Sequence, residues 1–297
     1  MKFVTYAKDG QARTGVLAAD GAHVIDLHAA GVQAQTLFDV IDGTAGSLAQ
    51  IGNAVAIAPP VAQVALGDVR ILAPIPAPRR NIICVGKNYY EHAKEFHSSG
   101  FDASAGKDAI PDCPIIFSKA STTVVGTDDP VPGSADPTNS VDYEVELAVV
   151  IGKTCRHVKK ADAYNQVFGY MIVNDVTSRH LQSRHKQWFL GKNLDGFCPM
   201  GPWLVSADEV GDVTQLRVTA AINGEMRQDA QVKDLIFDIP TLIETITSVM
   251  TLLPGDIIAT GTPAGVGIGF NPPKFLQPGD QMKLAITGLG VLENEIV

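Results

Sequence analysis

The segment Val141-Asp142-Tyr143-Glu144-Val145-Glu146-Leu147-Ala148-Val149-Val150 alternates acidic with apolar residues. Such alternation predicts a β-strand with Asp142, Glu144 and Glu146 on one face and Tyr143, Val145 and Leu147 on the other. Residues two apart on a strand lie roughly 6.6 Å apart, so both glutamate side chains can reach one point. Like charges on one strand face repel, and burial adds a desolvation cost. A hard divalent cation such as Mg²⁺ or Mn²⁺ removes both penalties, because carboxylate oxygens are its preferred ligands. For an isolated Glu-x-Glu a solvated strand face is the commoner meaning, since acidic residues are mostly exposed.

A third acid shifts that balance. Asp175 ends the apolar run Phe168-Gly169-Tyr170-Met171-Ile172-Val173-Asn174, a second expected strand. The end of a buried strand is where a sheet presents functional groups. Three carboxylates from two strands, with water in the open positions, make an oxygen-rich octahedral site. That suits Mg²⁺ or Mn²⁺, whereas zinc would call for His or Cys.

The chain has 297 residues, enough for one large domain or two unequal ones. An apolar fraction of 45% with 19% charged residues describes an ordinary globular protein. Lys and Arg number 23 against 32 Asp and Glu, and no basic run occurs. That balance argues against nucleic acid and anionic membrane surfaces as partners, but not against a small anionic substrate. The first residues lack the apolar core of a signal peptide, and no run of about 18 apolar residues is present. Cys84, Cys113, Cys155 and Cys198 form no Cys-x-x-Cys pair and fit reduced thiols in a cytoplasmic protein, with Cys84 as core packing.

Residues 1 to about 70 read as a small α/β unit. Strand-like pieces (Phe3 to Tyr6, Thr14 to Leu17, His23 to Asp26) precede a helical stretch rich in Ala and Gln. The prolines of Leu72-Ala73-Pro74-Ile75-Pro76-Ala77-Pro78 make a stiff connector to the remainder, 71–297. There Pro254-Gly255-Asp256 and Pro278-Gly279-Asp280 are turns that launch strands. A helix is expected from Asp238, its N-cap, to about Leu253, with Ile239, Leu242, Ile243, Ile246, Val249 and Met250 at helical spacing. The stretch from His97 to Lys107 reads as a mobile surface loop.

Gly152-Lys153-Thr154 is not a phosphate loop, since Leu147 stands where that motif requires glycine. Gly265, Gly267 and Gly269 lack dinucleotide spacing and read as a turn that lets backbone approach a ligand. No Gly-x-Ser-x-Gly elbow is present. His92 and Glu95 are three apart, hence side by side on a helical turn, where a carboxylate fixes the imidazole tautomer and raises its basicity. That is what a general base requires, although lone surface His-Glu pairs are common. Lys192 lies among apolar residues and glycine, which favours a site over a solvated position.

These features coincide in one family. From about residue 72 to the C-terminus the chain resembles the fumarylacetoacetate hydrolase superfamily. The matching stretches are 81–89 (Asn-Ile-Ile-Cys-Val-Gly-Lys-Asn-Tyr), 142–152, Val173-Asn174-Asp175-Val176-Thr177, Gly191-Lys192 and 255–263. The resemblance implies an α+β, mainly β fold: a mixed β-roll or β-sandwich catalytic domain, with the small N-terminal unit in front. It also implies a homodimer, one Mg²⁺ or Mn²⁺ held by Glu144, Glu146 and Asp175, and a His92–Glu95 dyad on a lid. Residues about 93 to 112 are then expected to order over the metal when an oxalate-like anion binds. The stretches from Arg184 to Lys192 and from Phe270 to Leu276 look like the branch associated with oxaloacetate decarboxylation or keto–enol tautomerisation. One departure is that Lys87-Asn88-Tyr89 lacks an acid that the animal enzyme places before its lid histidine; a water is the expected occupant of that place.

The substrate implied is a small anionic 2-oxo or 2,4-dioxo acid reacting through an enolate. C–C hydrolysis of an acylpyruvate, decarboxylation of oxaloacetate and tautomerisation are chemically adjacent outcomes. Hydrolysis is the leading expectation, with His92 and Glu95 activating water, Lys192 and Thr262 holding substrate oxygens, and Arg179 facing a distal carboxylate. A reading of another class, a non-catalytic binding or scaffold protein on the same fold, is disfavoured by the complete site set.

Overall fold

The computed structural model describes residues 1–102 and 108–297. Among these, a 12-stranded sheet runs through the molecule. Its path is Gln63–Ala65, His23–Asp26, Gln11–Leu17, Lys2–Lys8, Cys198–Ser206, Val167–Asn174, Val145–Ile151, Ile257–Ala259, Ile82–Gly86 and Ile115–Lys119. Neighbours on this path are antiparallel except Ile257–Ala259 with Ile82–Gly86. The N-terminal strands therefore continue the same sheet: Lys2 pairs with Val205 and Phe3 with Leu204.

Two central strands are apolar on both sides because both sides are covered. Val145, Leu147, Val149, Tyr170 and Ile172 face a second, four-stranded antiparallel sheet, where Val218, Ala220, Ile222, Leu284 and Ile286 meet them. Ala148, Val150, Met171 and Val173 face the other way, with Cys84, Phe3 and the helical residues Leu37, Val40 and Ile51. The architecture is thus a mixed sheet sandwich closed by helices, as the resemblance implies. Among the described residues no helix is long and apolar enough to cross a membrane.

The expected turns and alternation recur: Pro278-Gly279-Asp280 precedes Gln281–Ile286, with Met282, Leu284 and Ile286 buried. Three expectations need correction. The strand from Val141 is broken, into Val141–Asp142 and Val145–Ile151. Asp142 is drawn sideways by the amides of Gly267 and Ile268, and Val141–Asp142 pairs with Thr177–Ser178 instead. The loop begins later than His97, because the Tyr90–Ser98 helix includes it; residues 103–107 of that loop lie outside the described residues. The helix at Asp238 spans Ile239–Val249 and stops short of Leu253, where Met250 turns extended. Val249, at 77% exposed, belongs to its solvent face.

Asp238 does cap that helix, its carboxylate accepting from the Thr241 amide at 2.8 Å. Asp238→Ala should lower stability by about 1 kcal/mol, read from the urea midpoint at constant slope.

Candidate active site

Register brings the acids together. Val145 pairs with Asn174 and Glu146 with Val173. One step further, Glu144 stands opposite Asp175, and the Asp175 amide donates to the Glu144 carbonyl at 2.9 Å. Opposed residues of an antiparallel pair share a face, so Glu144, Asp175 and the diagonal Glu146 converge. One oxygen from each lies within 4.8 Å of the others, and all three residues are buried. Asp142 is not in this cluster. Its carboxylate accepts from Arg179 Nε at 2.8 Å and from Gly267 N at 2.6 Å.

Three buried cations surround the acids. Lys192 Nζ is 2.8 Å from Glu144 Oε2 and 2.7 Å from Asp175 Oδ2. Arg179 Nη1 is 2.7 Å from Glu144 Oε1. Lys119 Nζ forms an ion pair with Asp175 Oδ1 at 2.8 Å while its protons are directed at the carbonyls of Val176 and Lys192. Lys119 was not singled out from sequence; its signal was a lysine ending the apolar strand Ile115–Lys119.

The electrostatics separate the two glutamates. Burial would raise the Glu144 carboxyl, but the Lys192 and Arg179 charges outweigh it and hold it well below the usual range. Glu146 is pushed well above that range by burial first, then by the Asp175 and Glu144 charges. Its one backbone donor, Gly261 N at 2.8 Å, does not offset them. An all-oxygen donor set in which one carboxylate has no ion-pair partner among the described residues fits Mg²⁺ or Mn²⁺.

His92 Nδ1 lies 3.0 Å from Glu95 Oε2 on the helix, as its spacing predicts. Glu95 Oε1 accepts from the Gly265 amide at 2.9 Å. With Glu95 accepting, Nδ1 carries the proton and Nε2 is the free nitrogen. His92, Glu144, Glu146, Lys192, Arg179 and Thr262 line one pocket, walled by Phe96, Phe117 and Trp188. Thr262 Oγ1 accepts from Gln228 Nε2 at 2.7 Å, and Gln182, also in the cavity wall, accepts from Arg179 at 3.2 Å. These two glutamines escaped the sequence reading, although Gln182 stands one helical turn from Arg179.

On this sheet sandwich an imidazole oriented by a helix turn thus stands beside an acidic cluster suited to one divalent cation. Residues 81–297 match the family described as fumarylacetoacetate (FAA) hydrolase, C-terminal, and the chain belongs to that family. It is 51% identical over 231 residues to oxaloacetate tautomerase YisK of Bacillus subtilis, covering 78% of this chain and 74% of that protein. The fold superposes on a fumarylacetoacetate hydrolase from psychrophilic Exiguobacterium antarcticum with a TM-score of 0.83 at 41% identity, covering 100% of this chain and 99% of that one. Maleylpyruvate hydrolase from Sphingobium sp. SYK-6, solved with manganese(II) and pyruvate, superposes with a TM-score of 0.79 at 32% identity, covering 100% and 99%.

Proposed function

We propose that this protein is a divalent-metal-dependent enzyme acting on short 2-oxo acids through their enolates, with keto–enol tautomerisation of oxaloacetate as its principal reaction. The observation that carries this reading is that His92 lines one pocket with Glu144 and Glu146, two of the three clustered carboxylates. The likeness to an oxaloacetate tautomerase supports the choice of substrate.

Glu144, Glu146 and Asp175 would hold Mg²⁺ or Mn²⁺, which supplies Lewis-acid stabilisation of charge on the keto oxygen. The chain's own residues do the rest. His92 Nε2 takes the proton from the carbon next to the keto group, and Glu95 keeps the resulting imidazolium in place through Nδ1. Returning a proton to oxygen gives the enol; returning it to carbon gives the ketone. Lys192 spends two of its three N–H groups on Glu144 and Asp175, leaving one for a substrate oxygen. Thr262, accepting from Gln228, keeps its own O–H to donate. Arg179 Nη2 is buried and has no protein partner among the described residues, which leaves it for a substrate carboxylate.

The second reading, hydrolysis of an acylpyruvate, is favoured by the same dyad, since His92 with Glu95 is equally suited to deprotonating water. Initial rates with both oxaloacetate tautomers, acetylpyruvate and fumarylpyruvate, each with Mg²⁺ and with Mn²⁺, decide between them. Tautomerisation should show the highest kcat/KM. A larger value for an acylpyruvate makes the protein a hydrolase, and no turnover of any of them makes it a binding protein.

A further inference from the structure

The glycines at 265, 267 and 269 follow neither a phosphate nor a dinucleotide pattern, yet they sit against two carboxylates of the chain itself. Gly267 N and Ile268 N hold Asp142, at 2.6 and 3.2 Å. Gly265 N holds Glu95 Oε1 at 2.9 Å, and the Tyr143 hydroxyl donates to the Gly265 carbonyl at 2.7 Å. A Cβ placed on Gly269 would fall 1.8 Å from Glu95 Oε1 and 2.4 Å from its carboxyl carbon. The loop is thus anchored to Asp142 on one side and takes up the helix-borne Glu95 on the other.

We propose that the 265–269 loop is the seat of the Glu95 carboxylate, so that Gly265, Gly269 and Tyr143 are positioning residues for the His92 imidazole. A helix fixes where His92 begins but not how its ring turns; that is set by the acceptor at Nδ1. Glu95 is a flexible side chain, half of whose carboxylate must be immobilised before the other half can orient anything. The Gly265 amide provides that restraint, Tyr143 holds the same residue through its carbonyl, and the bare Cα of Gly269 leaves the room. Gly265 is bound to be glycine on two counts, a φ of +103° and a Cβ that would meet the Arg227 carbonyl at 1.8 Å. Gly269 differs: its φ is not in the left-handed region, and the close neighbours of its added Cβ are all Glu95 side-chain atoms. A methyl there suits the backbone, and the three nearest atoms that oppose it belong to the Glu95 side chain.

Gly269→Ala is therefore the probe. In the metal-loaded enzyme it should lower kcat about 10²-fold, the low end of what losing an oriented base costs. KM and Mn²⁺ affinity should not change, since neither depends on the dyad. In a Glu95→Ala background the same change should cost nothing further, because the obstructed group is gone. Hydrogen exchange supplies a reading that needs no substrate: amides of the Tyr90–Ser98 helix should exchange faster in Gly269→Ala, with the sheet unchanged. Tyr143→Phe should act in the same direction with a smaller loss. An equal kcat loss with and without Glu95, or wild-type helix protection in Gly269→Ala, would overturn the assignment. Absence of turnover on every acid tested would sink the proposed reaction, while the exchange experiment would still judge the seat.

Discussion

Glu146→Ala should abolish Mn²⁺ binding and, with it, every metal-dependent activity of this protein. Among the described residues Glu146 is the one carboxylate of the cluster without an ion-pair partner: Glu144 has Lys192 and Arg179, and Asp175 has Lys192 and Lys119. It is also the one whose ionised form the site opposes, through burial and then through the Asp175 and Glu144 charges. A divalent cation reverses that sign, so Glu146 gains most from metal. Mutating groups that only support metal ligands typically costs 10–100-fold in affinity, so deleting this carboxylate should exceed roughly 10²-fold. Titration followed by Mn²⁺ electron paramagnetic resonance reads the affinity directly. The raised carboxyl adds a second signature: metal-free Glu146 holds its proton above the usual carboxylate range and must release it on binding. Affinity should therefore rise with pH, and Mn²⁺ addition to a weakly buffered solution should acidify it. Tight, pH-independent binding by Glu146→Ala would place the metal elsewhere.

His92→Ala should separate reactions that share an enolate. Tautomerisation moves a proton to and from carbon, and acylpyruvate hydrolysis needs an activated water; both require the imidazole. Loss of a positioned base typically costs about 10² to 10⁴ in rate. Decarboxylation of oxaloacetate breaks the C–C bond without a base, the electron pair passing toward the keto oxygen as CO₂ leaves. It should survive His92→Ala far better under saturating metal. The decisive quantity is the ratio of decarboxylation to tautomerisation in wild type and variant. An unchanged ratio would mean that His92 acts on a step common to both, such as closing the cavity, and the division of roles given above would fail.

The candidate site of this protein was legible in short-range patterns. Glu144 and Glu146 two apart, Asp175 at the end of an apolar run, and His92 and Glu95 three apart each follow from the period of one element, which a sequence displays directly. The ordered family stretches after residue 72 carried the sheet sandwich with them. What tertiary structure decided were contacts between segments far apart in the chain, whose partners no period specifies. Asp142 alternates in step with the two glutamates, yet the 267–268 amides and Arg179 take it out of their cluster and break the strand. Lys119 looks like a strand-end lysine and is fully buried against Asp175. The glycine turn, read as a place where backbone approaches a ligand, also holds Glu95 and Asp142 of the chain itself. Desolvation makes these pairings obligatory, because a buried charge must find its partner wherever the fold brings one within reach. A sequence shows which side chains will need such partners; only the closed sheet fixes which ones they meet.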